Sequence, residues 1–188
     1  MGVQYILGRG VTLMTTFYLV RHGEATYEPV NKRNFIGHGL DLAPLTSKGI
    51  NQLKETSKDS RLKSCDLIVS SPYTRALQSA SILSKNLGLD IEVDVDLHEW
   101  IPDIINFKHK TSEECFALAE DFNLHNGVHP DGEAKVWETS ENMKKRISSV
   151  LEKYLTYEKV IVVCHEMLIG TITSKKIISN GEITEFFK

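Results

Sequence analysis

Two histidines in this 188-residue chain sit where buried strands should end. Phe17-Tyr18-Leu19-Val20 leads into Arg21-His22-Gly23-Glu24, and Val160-Ile161-Val162-Val163 leads into Cys164-His165-Glu166. Histidines at the carboxyl ends of two core strands are placed to converge in one crevice. Arg75 joins them from the first turn of the helix expected after Leu67-Ile68-Val69-Ser70-Ser71. Two imidazoles and two guanidiniums in one site are unfavourable unless an anion neutralises them. Phosphate suits, because guanidinium forks match its oxygens. A histidine can also attack phosphorus and divide one hard displacement into two easier ones. Its attacking nitrogen must be unprotonated, and the other should donate to a backbone carbonyl that fixes the tautomer. Charge spreads over the equatorial oxygens in the transition state, so fixed cations supply most of the catalysis. The leaving oxygen needs a proton from a carboxylic acid with a raised pKa. Glu99, in Leu97-His98-Glu99-Trp100, offers one.

These residues need a scaffold, and the hydrophobic pattern outlines it. Thr46 can cap a helix carrying Ile50 and Leu53. Ser71-Pro72 reads as the cap and first position of a helix that carries Ala76, Leu77, Ala80 and Leu83 and stops at Gly88. Ile91, Val93 and Val95 alternate as in a strand. Thr111 to Glu114 forms a capping box, and Thr139 or Ser140 starts a helix striped by Met143, Ile147, Val150 and Leu151. Ile183 to Phe187 is the last expected strand. Strands alternating with helices predict an α/β three-layer sandwich, with a mainly parallel central sheet flanked by helices. Residues 14–188 read as one domain, with a short cap insertion at about 101–138 over the carboxyl ends of the strands. Residues 1–13 read as an N-terminal extension outside the fold.

The chain resembles the histidine phosphatase superfamily, whose fold is that of phosphoglycerate mutase. The resemblance rests on five ordered pieces. They are Leu19 to Glu24; Phe35-Ile36-Gly37 with Asp41 and Leu45 to Gln52; Ser70 to Ala80; Leu97 to Trp100; and Val162 to His165. It runs from about Phe17 to the end and implies a small phosphatase. His22 would be the phosphorylated nucleophile. Arg21, Arg75 and His165 would bind the transferring phosphoryl group, and Glu99 would be the proton donor and then the base toward water. Gly37 matches a glycine near the phosphate, and Asn31 matches a phosphate-contacting asparagine across a longer spacing. No metal and no cofactor would be needed.

The chain also departs from that pattern. Ile36 stands where the mutases carry a small hydroxyl residue. Glu166 stands where a glycine usually follows the histidine. It either crowds the phosphate or acts as an alternative acid, as an aspartate does in the acid-phosphatase branch. Leu97 to Trp100 does not continue into the mutase signature, which favours hydrolysis over a phosphoglycerate-type mutase. Glu166 keeps open a phosphate-binding or interaction module with weak catalysis.

Composition narrows the partners. With 22 Lys and Arg against 25 Asp and Glu, the net charge is −3. This argues against nucleic-acid and membrane-surface binding and leaves a small phosphorylated substrate. Cys65, Cys115 and Cys164 are too sparse for a disulfide scaffold and fit a reducing, cytoplasmic setting. His125 and His129 have metal-ligand spacing, but Asn126-Gly127 breaks the helix between them. His38, His98 and His109 are expected near the mouth of the cleft. Oligomeric state is not legible.

Overall fold

The computed structural model describes residues 14–106, 111–173 and 175–188. The expected extension at 1–13 and His109 lie outside them. The elements follow in chain order. Strand β1 (Thr16–Arg21) precedes a short helix α1 (Glu28–Asn31) and helix α2 (Ser47–Thr56). Then come β2 (Leu67–Ser70), α3 (Thr74–Leu87), β3 (Ile91–Val93), α4 (Ser112–Leu124) and α5 (Ser140–Glu152). The chain closes with β4 (Lys159–Cys164), α6 (Glu166–Thr173) and β5 (Ile183–Phe187).

The strands form one sheet in the order β3-β2-β4-β1-β5. Pairing is parallel throughout except for β5, which runs antiparallel to β1. Alternate residues of each strand face opposite sides. Phe17, Leu19, Val160, Val162 and Cys164 pack into a core with Met143, Ile147, Leu151 and Leu168, from α5 and α6. Tyr18, Val20, Ile161 and Val163 pack into the other core with Leu53, Ala76, Ala80 and Leu83, from α2 and α3. The expected three-layer sandwich is therefore present. No helix among the described residues is long and apolar enough to cross a membrane.

Register positions the chemistry. Arg21 lies opposite Cys164, and Ser70 lies opposite Val163, so three strands end nearly level. Backbone bonds extend the alignment by one residue, from His22 N to Cys164 O at 3.1 Å and from Ser71 N to Val163 O at 2.9 Å. Antiparallel β5 returns the chain from this end to the opposite one. There Thr15 and Lys188 exchange backbone hydrogen bonds of 2.9 and 3.1 Å.

Two expected boundaries move. The strand from Ile91 stops at Val93, because the Asp94 side chain accepts from Asp96 N at 3.0 Å and turns the chain into a 3-10 turn. The helix after β2 starts at Thr74 rather than at Pro72. Thr46, Thr111 and Thr139 cap α2, α4 and α5 as expected, Thr111 within a complete capping box.

The segment after β1 is held against α2 by a local network. Thr46 Oγ1 accepts from Gly49 N at 2.9 Å and donates to Glu24 Oε1 at 2.9 Å. Lys48 pairs with Glu24 Oε2 at 2.6 Å, and Glu24 N donates to Gln52 Oε1 at 2.8 Å. The backbones touch here. A Cβ on Gly49 would lie 2.8 Å from Glu24 N and closer still to its carbonyl oxygen. Gly23 is confined in the same way by Gly49 O and Leu53. A methyl group against fixed backbone forces α2 away from the strand end. Gly49→Ala is expected to cost about 1–3 kcal/mol, read as a lower urea midpoint with an unchanged m-value.

Candidate active site

His22 follows directly from β1 and is almost fully buried. Its Nδ1 lies 2.7 Å from Gly23 O, so Nδ1–H donates to that carbonyl and the neutral ring keeps a lone pair on Nε2. Arg75 Nε donates to that lone pair at 3.2 Å. Burial, then the Arg75 guanidinium, pulls the His22 pKa down to about 3, and Arg21 adds to the effect against the opposing Gly23 bond. The imidazole is therefore neutral, with its free nitrogen inside a cationic pocket.

His165 follows β4 and is completely buried. Its ring centroid lies 5.1 Å from that of His22. Its Nε2 is 2.8 Å from Ser71 Oγ, which also accepts from Tyr73 N at 3.3 Å. A Ser71 hydroxyl that donates to His165 Nε2 places the ring proton on Nδ1. Ser71 is thus committed to the histidine and not to capping α3, whose first turn has no side-chain cap. Burial, with Arg75 next in size, holds the His165 pKa well below the ordinary value.

The guanidiniums come from α3 and from the end of β1. Arg75 is buried and lies 5.0 Å from the centroid of the Tyr73 ring. Arg21 Nη1 donates to Ile178 O at 2.5 Å and meets Glu166 Oε2 at 2.9 Å. The other Glu166 oxygen accepts from Ile178 N at 3.1 Å. Glu166, the unexpected carboxylate of the sequence, therefore has both oxygens engaged in holding Arg21 and the loop before β5. Three buried side-chain nitrogens have no protein partner among the described residues: Arg21 Nε, Arg75 Nη1 and His165 Nδ1. Buried donors are normally satisfied, and all three of these belong to the strand-end cluster. Together they suit a multiply charged oxyanion.

Glu99 lies on the loop after β3 and lines a cavity of about 280 Å³ that Arg75 also lines. Burial raises its pKa, while the bond from Trp100 N to Oε1 at 2.8 Å, and then Arg75, oppose the rise. The loop is held by a charge pair that motif reading missed. Arg146 on α5 reaches Glu138 Oε1 at 2.7 Å and Oε2 at 3.0 Å. It also donates to the carbonyls of Asp96 at 2.6 Å and His98 at 2.7 Å. The Glu138 main chain bonds the same loop, donating to Ile101 O at 3.0 Å and accepting from Trp100 Nε1 at 2.8 Å.

The remaining expectations divide. Gly37 is buried with φ 54°, a left-handed backbone that suits glycine. Asn31 is exposed at the end of α1 and is not among the residues lining the cavity. His38 lines the cavity and bonds Asp41 at 3.0 Å, and His98 faces Tyr73. His125 and His129 instead flank Trp137, bonded to Asp121 O and Trp137 O. Asp41 and Tyr73 belong to the site. Both lie in quoted motifs, but only packing reveals their part in the cavity.

The comparisons agree with this geometry. The model of the histidine phosphatase superfamily (branch 1) matches residues 17–183. The chain belongs to that superfamily. It is 30% identical over 174 residues to the "Uncharacterized phosphatase PhoE" of Bacillus subtilis, covering 90% of this chain and 80% of that protein. It is 27% identical over 166 residues to the "Probable phosphoglycerate mutase GpmB" of Cronobacter sakazakii, covering 86% and 74%. Among solved structures, Bacillus stearothermophilus YhfR matches with TM-score 0.68 and 22% identity over 91% of this chain and 90% of that one. A mycobacterial glucosyl-3-phosphoglycerate phosphatase matches with TM-score 0.67 and 20% identity, covering 92% and 89%. These structural likenesses speak for the fold.

Two measurements probe the electrostatics. Glu138→Ala leaves Arg146 buried without its carboxylate and is expected to destabilise the fold by about 3–5 kcal/mol, seen in urea unfolding. His22 is held neutral when folded, whereas the unfolded chain protonates near 6.5. Its contribution to stability is thus complete above pH 6.5 and drains as pH falls from 6.5 toward 3. In phosphate-free buffer, His22→Gln is expected to flatten the acid limb of stability against pH.

Proposed function

We propose that this protein hydrolyses phosphomonoesters of small molecules through a phosphohistidine on His22, without a metal. The observation that carries the reading is the set of three unpartnered buried nitrogens around a neutral His22. In the first step His22 Nε2 attacks phosphorus, a P–N bond forms and the P–O bond to the leaving group breaks. Arg21, Arg75 and His165 hold the equatorial oxygens, where charge gathers. Arg75 turns its hydrogen bonding from His22 to the phosphoryl group and so releases the attacking lone pair. Glu99, whose pKa is raised by burial, gives its proton to the leaving oxygen. In the second step the Glu99 carboxylate takes a proton from water, whose oxygen attacks phosphorus. The P–N bond breaks and phosphate departs. Glu166 positions Arg21 in this scheme and takes no proton.

A phosphoglycerate-type mutase would use the same centre, and the likeness to GpmB favours that reading. It differs by returning the phosphoryl group to the substrate. Net phosphate release separates the two.

The test is a phosphate-release assay with His22→Ala as the blank, together with a brief labelling reaction. The wild type is expected to release phosphate and to carry an acid-labile, base-stable phosphoryl group on His22. Glu99→Gln should slow alkyl phosphates about 10²-fold or more, and p-nitrophenyl phosphate much less, because p-nitrophenolate leaves without a proton. Binding of phosphoesters with neither label nor release would overturn the proposal in favour of a binding module.

A further inference from the structure

We infer that the cavity beside the phosphoryl cluster selects an apolar leaving group, alkyl or aryl, over one that carries a carboxylate. The inference rests on the hydrolase reading above and names the substrate class of the same site.

The cavity borders the reaction centre, because Arg75, which bonds His22, and Glu99 line it. In the hydrolase reading a leaving group attached to the transferring phosphorus projects into it. At about 280 Å³ it lies at the small end of small-molecule pockets. Its walls are mainly apolar. Trp100, Ile101 and Pro102 come from the loop that carries Glu99, Phe116 and Ala119 from α4, and Leu40 from the segment before α2. Phe116 is 70% exposed although it lines the cavity, so an apolar occupant would cover ring surface that now faces water. A wall of this kind rewards removal of hydrocarbon from water, and the imidazole and guanidinium in its lining are already engaged, His38 with Asp41 and Arg75 with His22.

Charge points the same way. Asp41 and Glu99 both line the cavity, and burial raises both pKa values, so each already resists its own negative charge. A substrate carboxylate would add a third acidic group to that wall. Arg75 lines the cavity too, but its guanidinium belongs to the phosphoryl cluster, with Nε on His22 and Nη1 unpartnered.

The test measures kcat/KM for phosphate release from ethyl, butyl, hexyl and phenyl phosphate, and from 3-phosphoglycerate and O-phosphoserine. In the alkyl series each added methylene should raise kcat/KM about threefold to fourfold until the cavity is full. The two carboxylate esters should fall at least tenfold below hexyl phosphate. In Phe116→Ser the ratio of hexyl to ethyl phosphate should drop; because both are read on one preparation, any loss of folded protein cancels. A flat chain-length series overturns the inference and leaves the hydrolase reading standing. So does turnover of 3-phosphoglycerate at the rate of hexyl phosphate. Release from none of the esters overturns the hydrolase reading, and this inference falls with it.

Discussion

The parallel pairing of β1 with β4 sets everything else at the site. Arg21 opposite Cys164 leaves His22 and His165 emerging side by side, just beyond the last ladder bonds. Neither ring can retreat, since each follows a strand whose residues are packed on both faces. Their neighbours are fixed as firmly, Arg75 by the buried side of α3 and Ser71 by its backbone bond to Val163. The result is a group of donors held close together in low dielectric, where an oxyanion interacts strongly and the protein need not reorganise to meet it. The depressed pKa values of His22 and His165 record the same constraint, because burial, and after it the Arg75 guanidinium, disfavours imidazolium at both positions.

The glycines and small polar residues of the motifs serve this arrangement indirectly. Gly23 and Gly49 allow the turn after His22 to rest on α2. Ser79 then accepts from Gly23 N at 3.1 Å and donates to Arg75 O at 2.7 Å, so one hydroxyl joins the two halves of the cluster. Gln78 accepts from Leu45 N at 2.8 Å and ties the same helix to the segment before α2. The motif residues thus build a frame around the reacting groups more often than they react.

Much of this was legible in the chain because its signals are local. The ends of β1 and β4, caps at Thr46, Thr111 and Thr139, and the histidine contexts depend on neighbours in sequence, and they appear where expected. Ser71 was misread as a cap because its partner, His165, is far away in the chain. The partnership of Glu138 with Arg146 left no motif for the same reason. Glu166 was ambiguous because its meaning depends on Ile178 and Arg21, which only the return of the chain through β5 brings together. Asn31, carried over by pattern across a longer spacing, lies exposed at the end of α1.

The antiparallel last strand has a consequence for how the chain is threaded. β5 ends beside the start of β1, and Thr15 and Lys188 hold each other by two backbone bonds at the end of the sheet away from the histidines. From Thr15 to Lys188 the polypeptide is therefore nearly a closed ring, whose seam lies on the far side of the sheet from the chemistry. The seam itself is held by hydrogen bonds that a peptide bond through a short linker would reinforce, so the continuity of the ring, more than the position of its break, is what the architecture uses.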